Sequence, residues 1–473
     1  MRSTRLGSIS PLSIWAMSAL FATLVINHLF FNMGSLNYDL RAATVWVYVL
    51  YRHGIPALYH LPLTVSVADA WGGIPMQEAA FPYGPTMASV FLVIGWVYRL
   101  FFAPPPPLLP DPLQIAYVIR QFNVIFGLLN AVLISKILEE QHLPLRTRLI
   151  SASLFLFNPA VWFVGSVWGQ TQNISLAFLL LAIWLGEKGH PVLAWTAALL
   201  TSMTRDQMIA PTLLLALFFL RKFSFGTNIC SLSWSIITTF LIVAPFSLAE
   251  SPTLPLDVHV HAYLFHVLAL NDRWSNPVSW GALSLWTLVA RVAGGLSGLD
   301  RLSLPAMELH VGGLTYWQLA NYAFTGLALA CAVAVVLRPS LYLHLLAVIT
   351  LGLFLVKTSF AAFHLIPAVA LVIASRRTLG PSAYYLVVGI LSATIFLSMY
   401  SMAAIWMTPH PFWAVGLFSP TNTATAFVQK LMNADWFVTS GSVLNLSALL
   451  VLAGEVLRRW RTETSDGGVT PQT

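Results

Sequence analysis

The chain has 473 residues, of which 58% are hydrophobic and only 9% charged. A soluble domain carries roughly 25% charged residues, so this chain lacks the charge to solvate an ordinary globular surface. The net charge of +7 is dispersed, without a basic patch interleaved with aromatics, which excludes a nucleic-acid partner. The two cysteines, Cys230 and Cys331, sit in apolar stretches and provide neither a disulfide framework nor a metal site.

The first apolar run spans 11–31 behind Arg2 and Arg5. Its length and the lack of a small-residue cleavage site predict a retained signal-anchor helix with a cytoplasmic N-terminus. The two arginines then place the next loop outside. That loop, 32–85, is mixed in polarity and carries Asp39, Arg41, Arg52, His53, Asp69 and Glu78. Its middle, 42–50, reads as an amphipathic helix lying in the interface.

Spans follow near 86–103, 113–137, 149–167 and 172–186. The run 191–220 is interrupted by Arg205-Asp206 and is too long for one crossing, so it reads as two short or re-entrant pieces. Further spans fall near 231–249, 279–296, 313–337, 341–356, 359–375, 381–407 and 440–458. Continuous Leu-rich runs favour helices over a barrel's alternating strands. The fold expected is therefore an all-α polytopic membrane bundle of about 11–14 helices. Residues 1–461 form a single membrane domain, and the polar tail 462–473 is expected to be disordered. Arg221-Lys222, Arg376-Arg377 and Arg458-Arg459-Arg461 mark cytoplasmic ends. Simple alternation does not satisfy all three, which points to a re-entrant segment.

Three constellations can carry chemistry. In the first loop Asp39 stands just beyond the first helix, followed by Trp46, His53-Gly54 and Phe81-Pro82-Tyr83-Gly84-Pro85. A carboxylate beside a lipid-facing crevice can act as a general base on a sugar hydroxyl. A solvated loop acid or a helix N-cap is the plainer reading of the residues alone, and Asp69 or Glu78 are alternative bases. The second constellation is Asn158-Pro159 followed by Trp168-Gly169-Gln170-Thr171-Gln172-Asn173 and then Arg205-Asp206-Gln207. Trp168 suits an interfacial belt, and Gln170 and Asn173 can bond a sugar or lipid head group; an aromatic-anchored helix junction is the plainer reading. Arg205 and Asp206 are candidates because ionisable residues at membrane depth serve function, unless they lie in a short turn. The third, after the 231–249 span, contains His259, His261, His266, Asn271, Arg273, Asn276 and Trp286. Its histidine spacing does not bring two ligands to one helical face, so no metal is expected. Farther on, Lys357 and His364 precede Pro367, and Lys357 can also snorkel.

These motifs resemble the GT-C glycosyltransferases, above all those using polyprenyl-phosphate sugars, such as bacterial mannosyltransferase-like and dolichol-phosphate-glucose transferase-like enzymes. The first loop with Asp39 and an aromatic-Pro element is similar to theirs, although Phe81-Pro82-Tyr83-Gly84-Pro85 replaces their Tyr-Pro-Pro-Leu. The Asn-Pro … Trp-Gly-Gln element and Arg205-Asp206-Gln207 match at similar spacing, with Gln172 where those relatives often carry an Asp. The stretch from Lys357 to Pro367 takes the place of their His-Glu-Arg-Tyr element without its Glu and Arg. The resemblance implies a cell-membrane enzyme with its site on the external face. It would move a mannose or glucose, with inversion, from a polyprenyl-phosphate donor to a lipid-linked or envelope glycan acceptor. No cofactor and no metal are implied. Asp39 would be the base, and Tyr83, Trp168, Gln170, Asn173, Arg205, Gln207, His259, His261, Arg273, Lys357 and His364 would bind substrate. A transporter or flippase of lipid-linked sugars, or a non-catalytic relative of the fold, are the competing expectations.

Overall fold

The computed structural model describes residues 10–31, 38–53, 81, 83–102, 111–248, 283–294, 309–358, 360–407 and 423–465. The protein is an all-α polytopic membrane protein. The apolar runs become α1 (Pro11–Phe31), α2 (Tyr38–His53), α3 (Pro85–Phe101) and α4 (Pro112–Glu140). Next come α5 (Leu145–Leu156), α6 (Pro159–Trp162), α7 (Gln172–Glu187), α8 (Pro191–Ser202) and α9 (Ile209–Lys222). The rest comprises α10 (Phe225–Leu248), α11 (Leu285–Gly294), α12 (Tyr316–Leu337), α13 (Tyr342–Val356), α14 (Ile366–Ala374), α15 (Pro381–Met407), α16 (Thr423–Asn433) and α17 (Asp435–Ser465). A two-residue antiparallel hairpin, His310–Val311 with Leu314–Thr315, precedes α12.

Local chemistry explains the boundaries. Proline opens α3, α4 and α8, where its missing N–H costs nothing. The Asp111 side chain caps α4 by accepting from Leu113 N–H at 2.8 Å. Thr315 and Gln318 form a reciprocal capping box on α12.

Among the described residues six helices are long and apolar enough to cross a membrane, or seven if one bent pair counts as a single span. Against the 11–14 expected, five further apolar helices of 10–17 residues fall short of that length among the described residues. The 149–167 run is broken. It splits at Phe157-Asn158 and bends by 46° before continuing through Pro159–Trp168. The Asn158 side chain caps the second piece by accepting from Ala160 N–H at 3.0 Å. The 191–220 run divides as expected, with a 3-10 turn at Asp206–Met208 between α8 and α9.

Residues 42–50 do not leave one face of α2 open, because every residue from Ala42 to Leu50 is buried. They pack against α3 and the first turns of α4 in a second apolar cluster, separate from the main core. The tail from Thr462 stays helical through Ser465 as the end of α17.

The main core joins α4, α5, α7–α9, α13–α15 and α17. At one end of it the loops are laced together. Lys222 pairs with Glu187 at 3.0 Å, Lys188 approaches Glu140 at 4.0 Å, and Arg148 pairs with Glu139 at 3.0 Å. Arg377 donates to the Gln141 carbonyl, Gln141 to the Ala374 carbonyl, and Arg459 to the Thr378 carbonyl. Arg338 lies over the Trp460 ring at 5.5 Å. The three basic markers therefore share one end. Asp111, at the opposite end of the 29-residue α4, lies about 40 Å away at 1.5 Å per residue.

With Cys230 and Cys331 replaced by serine, cysteines at Arg377 and Arg461 should react with a membrane-impermeant maleimide from the same side of sealed vesicles. A cysteine at Asp111 should react from the other side. Labelling of all three from one side would refute this arrangement.

Candidate active site

The residues that assemble a polar site come from three separated stretches: the two ends of the first loop, the bent segment before α7, and the turn between α8 and α9. The bent segment ends in a π turn, Phe163–Trp168, closed by Gly169 in the left-handed conformation at φ 82°. A side chain there would be strained. A Cβ at Gly169 would also stand 2.7 Å from Leu40 Cδ1, so the Leu40 side chain of α2 would have to give way.

That contact sets the geometry beside it. Trp168 is buried, and its indole Nε1–H donates to Asp39 Oδ2 at 2.6 Å. Asp39, half-buried in the first turn of α2, also interacts with the Gln170 side chain. Desolvation raises its carboxyl above the ordinary range, against the opposing pull of the Trp168 and Gln170 hydrogen bonds and the Arg205 charge. Asp39 thus becomes more proton-avid while keeping its orientation.

Arg205 is the hub of the second layer. It is buried, and its Nη2 donates to Gln170 Oε1 at 3.0 Å and Thr171 Oγ1 at 2.6 Å. Its guanidinium lies 4.1 Å from the centre of the Tyr83 ring. A desolvated cation–π contact of this kind is worth about 2 kcal/mol. The loop exit is fixed to the same turn by backbone bonds, Gly84 N–H to Thr204 O at 3.1 Å and Thr86 N–H to Met203 O at 3.2 Å. Trp46 of α2 meets Phe81, Tyr83 and Phe91 edge-on at 5.3, 5.4 and 5.7 Å. Those pairs add about 0.5–1.5 kcal/mol each and hold Tyr83 in place.

Asp206 and Lys357 belong to the same end. Asp206 is itself exposed at the turn, within the field of the Arg205 and Lys357 charges. Gln207 and His364 line a small pocket completed by Met208, Leu353, Phe354 and Phe360. His364 Nδ1 accepts the Ala361 backbone N–H at 3.0 Å. That nitrogen is therefore unprotonated, which leaves the neutral ring's proton on Nε2. Trp286 donates its indole N–H to the Val356 carbonyl, beside Lys357.

Asn173 stands apart from the other candidates. It is buried in the first turn of α7, and its Nδ2 points inward to the Asn123 carbonyl at 3.4 Å. His259, His261, His266, Asn271, Arg273 and Asn276, and likewise Asp69 and Glu78, lie outside the described residues. Among the described residues no group of three or more His, Cys, Asp or Glu side chains converges as metal ligands would.

Several participants escape a reading by motif. Thr171 supplies the shortest bond to Arg205. Arg120, Asn123 and Asn130 form a polar row on α4 that donates to the Val167, Gly165 and Asn173 carbonyls at 2.9, 3.2 and 2.8 Å. Arg120 was accessible in principle, since an arginine inside an apolar run is itself a signal. Comparison with known proteins finds no matching family model and no curated protein with a matching sequence.

Two outcomes follow. Gly169→Ala should lower stability by about 1–3 kcal/mol, read from thermal unfolding in detergent, with Leu40→Ala recovering part of the loss. In addition, dicyclohexylcarbodiimide, an apolar reagent for protonated carboxyls, should modify Asp39 to a higher pH in the folded protein than in the denatured chain. A raised folded pKa keeps the acid form populated to higher pH; coincident profiles would show that Asp39 is not desolvated.

Proposed function

We propose that this protein is a membrane glycosyltransferase of GT-C type that moves a hexose from a polyprenyl-phosphate donor to a lipid-linked or cell-envelope acceptor. The observation that carries this reading is Asp39: one desolvated carboxylate oriented by the Trp168 N–H, with Arg205 and Tyr83 beside it. A general base for a sugar hydroxyl needs a raised proton affinity and a fixed direction. The Trp168-Gly169-Gln170 element and Arg205, which support the resemblance to these enzymes, meet around that same carboxylate.

In the proposed reaction Asp39 takes the proton of the acceptor hydroxyl as its oxygen attacks the anomeric carbon. The bond from that carbon to the donor phosphate oxygen breaks on the opposite face, inverting the centre. The lipid phosphate leaves with the electron pair and its charge. Lys357 and the His364 Nε2–H are the groups at this end that suit a departing phosphate, while Arg205 is committed to Gln170, Thr171 and Tyr83. By the positive-inside rule the end bearing Arg221, Arg377 and Arg459 faces the cytoplasm. Asp39 then opens to the outer side of the cell membrane, and the bilayer delivers the substrates.

The two broken segments at 157–168 and 203–208 favour one second reading, a flippase of lipid-linked sugars built on discontinuous helices. The purified protein in vesicles with polyprenyl-phosphate mannose or glucose and a lipid-linked acceptor separates the two. Asp39→Asn should cut transfer by about 10²-fold or more with unfolding unchanged, since the isosteric amide still accepts from Trp168. Wild-type transfer by Asp39→Asn would overturn the assignment, and leaflet exchange of the donor without transfer would favour the flippase.

A further inference from the structure

A buried arginine stands behind the turn that carries Trp168. Arg120 lies two turns into α4 and is buried. A guanidinium is retained in such surroundings only where specific bonds offset its desolvation. Its Nη2 donates to the Val167 carbonyl at 2.9 Å. One turn farther along the helix, Asn123 Nδ2 donates to the Gly165 carbonyl at 3.2 Å. Two carbonyls of a single six-residue π turn are therefore held by one helix. A π turn shifts the hydrogen-bond register and strands carbonyls that an α-helix would satisfy, and in apolar surroundings those carbonyls need donors.

Val167 immediately precedes Trp168, whose indole N–H reaches Asp39 at 2.6 Å. Rotation of the Val167–Trp168 peptide would swing the indole away from the carboxylate. We propose that Arg120 is a positioning residue for Asp39: by fixing the Val167 carbonyl it locks the π turn and aims the Trp168 N–H at Oδ2. The functional weight of this rests on Asp39 being the general base, whereas the geometric relation does not. The other groups acting on Asp39 are Gln170 from the same segment and Arg205 from the turn between α8 and α9, with Tyr83 from the loop exit held on Arg205.

Asn130 provides the internal control. It is buried on the same helix and donates at 2.8 Å to the Asn173 carbonyl, beyond the π turn. The experiment measures the pH midpoint of carbodiimide modification at Asp39, by mass spectrometry, in folded full-length protein in detergent. Trp168→Phe removes the hydrogen bond to the charged form and should raise the midpoint by about one pH unit. Arg120→Met should raise it similarly, Arg120→Lys, which keeps a donor, should restore most of the difference, and Asn130→Ala should leave it unchanged. Arg120→Gln replaces Arg120→Met if the latter does not fold. A wild-type midpoint in Arg120→Met or its substitute would overturn the proposal, as would an unshifted Trp168→Phe. Equal shifts in Asn130→Ala would reduce Arg120 to general packing and also overturn it. Failure of the base assignment is separately visible, as full transfer by Asp39→Asn with these midpoints behaving as expected.

Discussion

A helix broken inside an apolar bundle has to find partners for the backbone groups it frees, and that requirement organises the Asp39 end of this protein. Asn158 restarts the chain by capping Ala160, and it ties the break to α15 through Ser392 at 2.6 Å. Beyond it the π turn exposes carbonyls that the polar row of α4 satisfies from behind. With its back held this way, the segment can present Trp168, Gln170 and Thr171 forward. An unbroken α-helix over the same residues would have kept its backbone bonds and offered no such ledge.

Both ends of the first loop fasten onto that ledge and the neighbouring turn. Leu40 and Asp39 seat against Gly169 and Trp168, while Gly84 and Thr86 bond the carbonyls of Thr204 and Met203. Arg205 joins the two attachments because it bonds Gln170 and Thr171 on one side and stacks on Tyr83 on the other. A buried guanidinium with neutral acceptors and an aromatic face has its donors directed without a carboxylate being consumed. Among the described residues Asp39 then forms no ion pair with Arg205, which acts on it only as a nearby charge. The opposite end follows a different logic, with loops joined by ion pairs and arginine-to-carbonyl bonds.

The features legible in the chain were those with a local cause. Arg205-Asp206 interrupts an apolar run, and the interruption is a real turn because the two charged residues need polar partners that a continuous apolar span does not supply. The break before Trp168 carried a signal too, since Asn158-Pro159 is an N-cap followed by proline at the first helical position; the apolar residues around it masked that signal. The burial of α2 had none. Its charged and polar flanks resemble those of an interfacial helix, and only the facing surfaces of α3 and α4 cover it. Arg120 and Asn130 fall inside the 113–137 run, and their use shows only against the carbonyls opposite them.

The amino-acid sequence alone determined that this is a helical membrane protein, where most of its helices run, and that Asp39, Trp168, Gln170 and Arg205 deserve scrutiny. Composition and run length suffice for the first two because lipid imposes them on any chain, and the rare polar residues suffice for the third. The tertiary structure decided which of those residues meet. It gathered Asp39, Tyr83, Trp168 and Arg205 from positions up to 166 residues apart, turned Asn173 inward, and recruited Thr171 and Arg120. No local pattern encodes such meetings, because they depend on which carbonyls a break leaves open and which donors packing brings within reach.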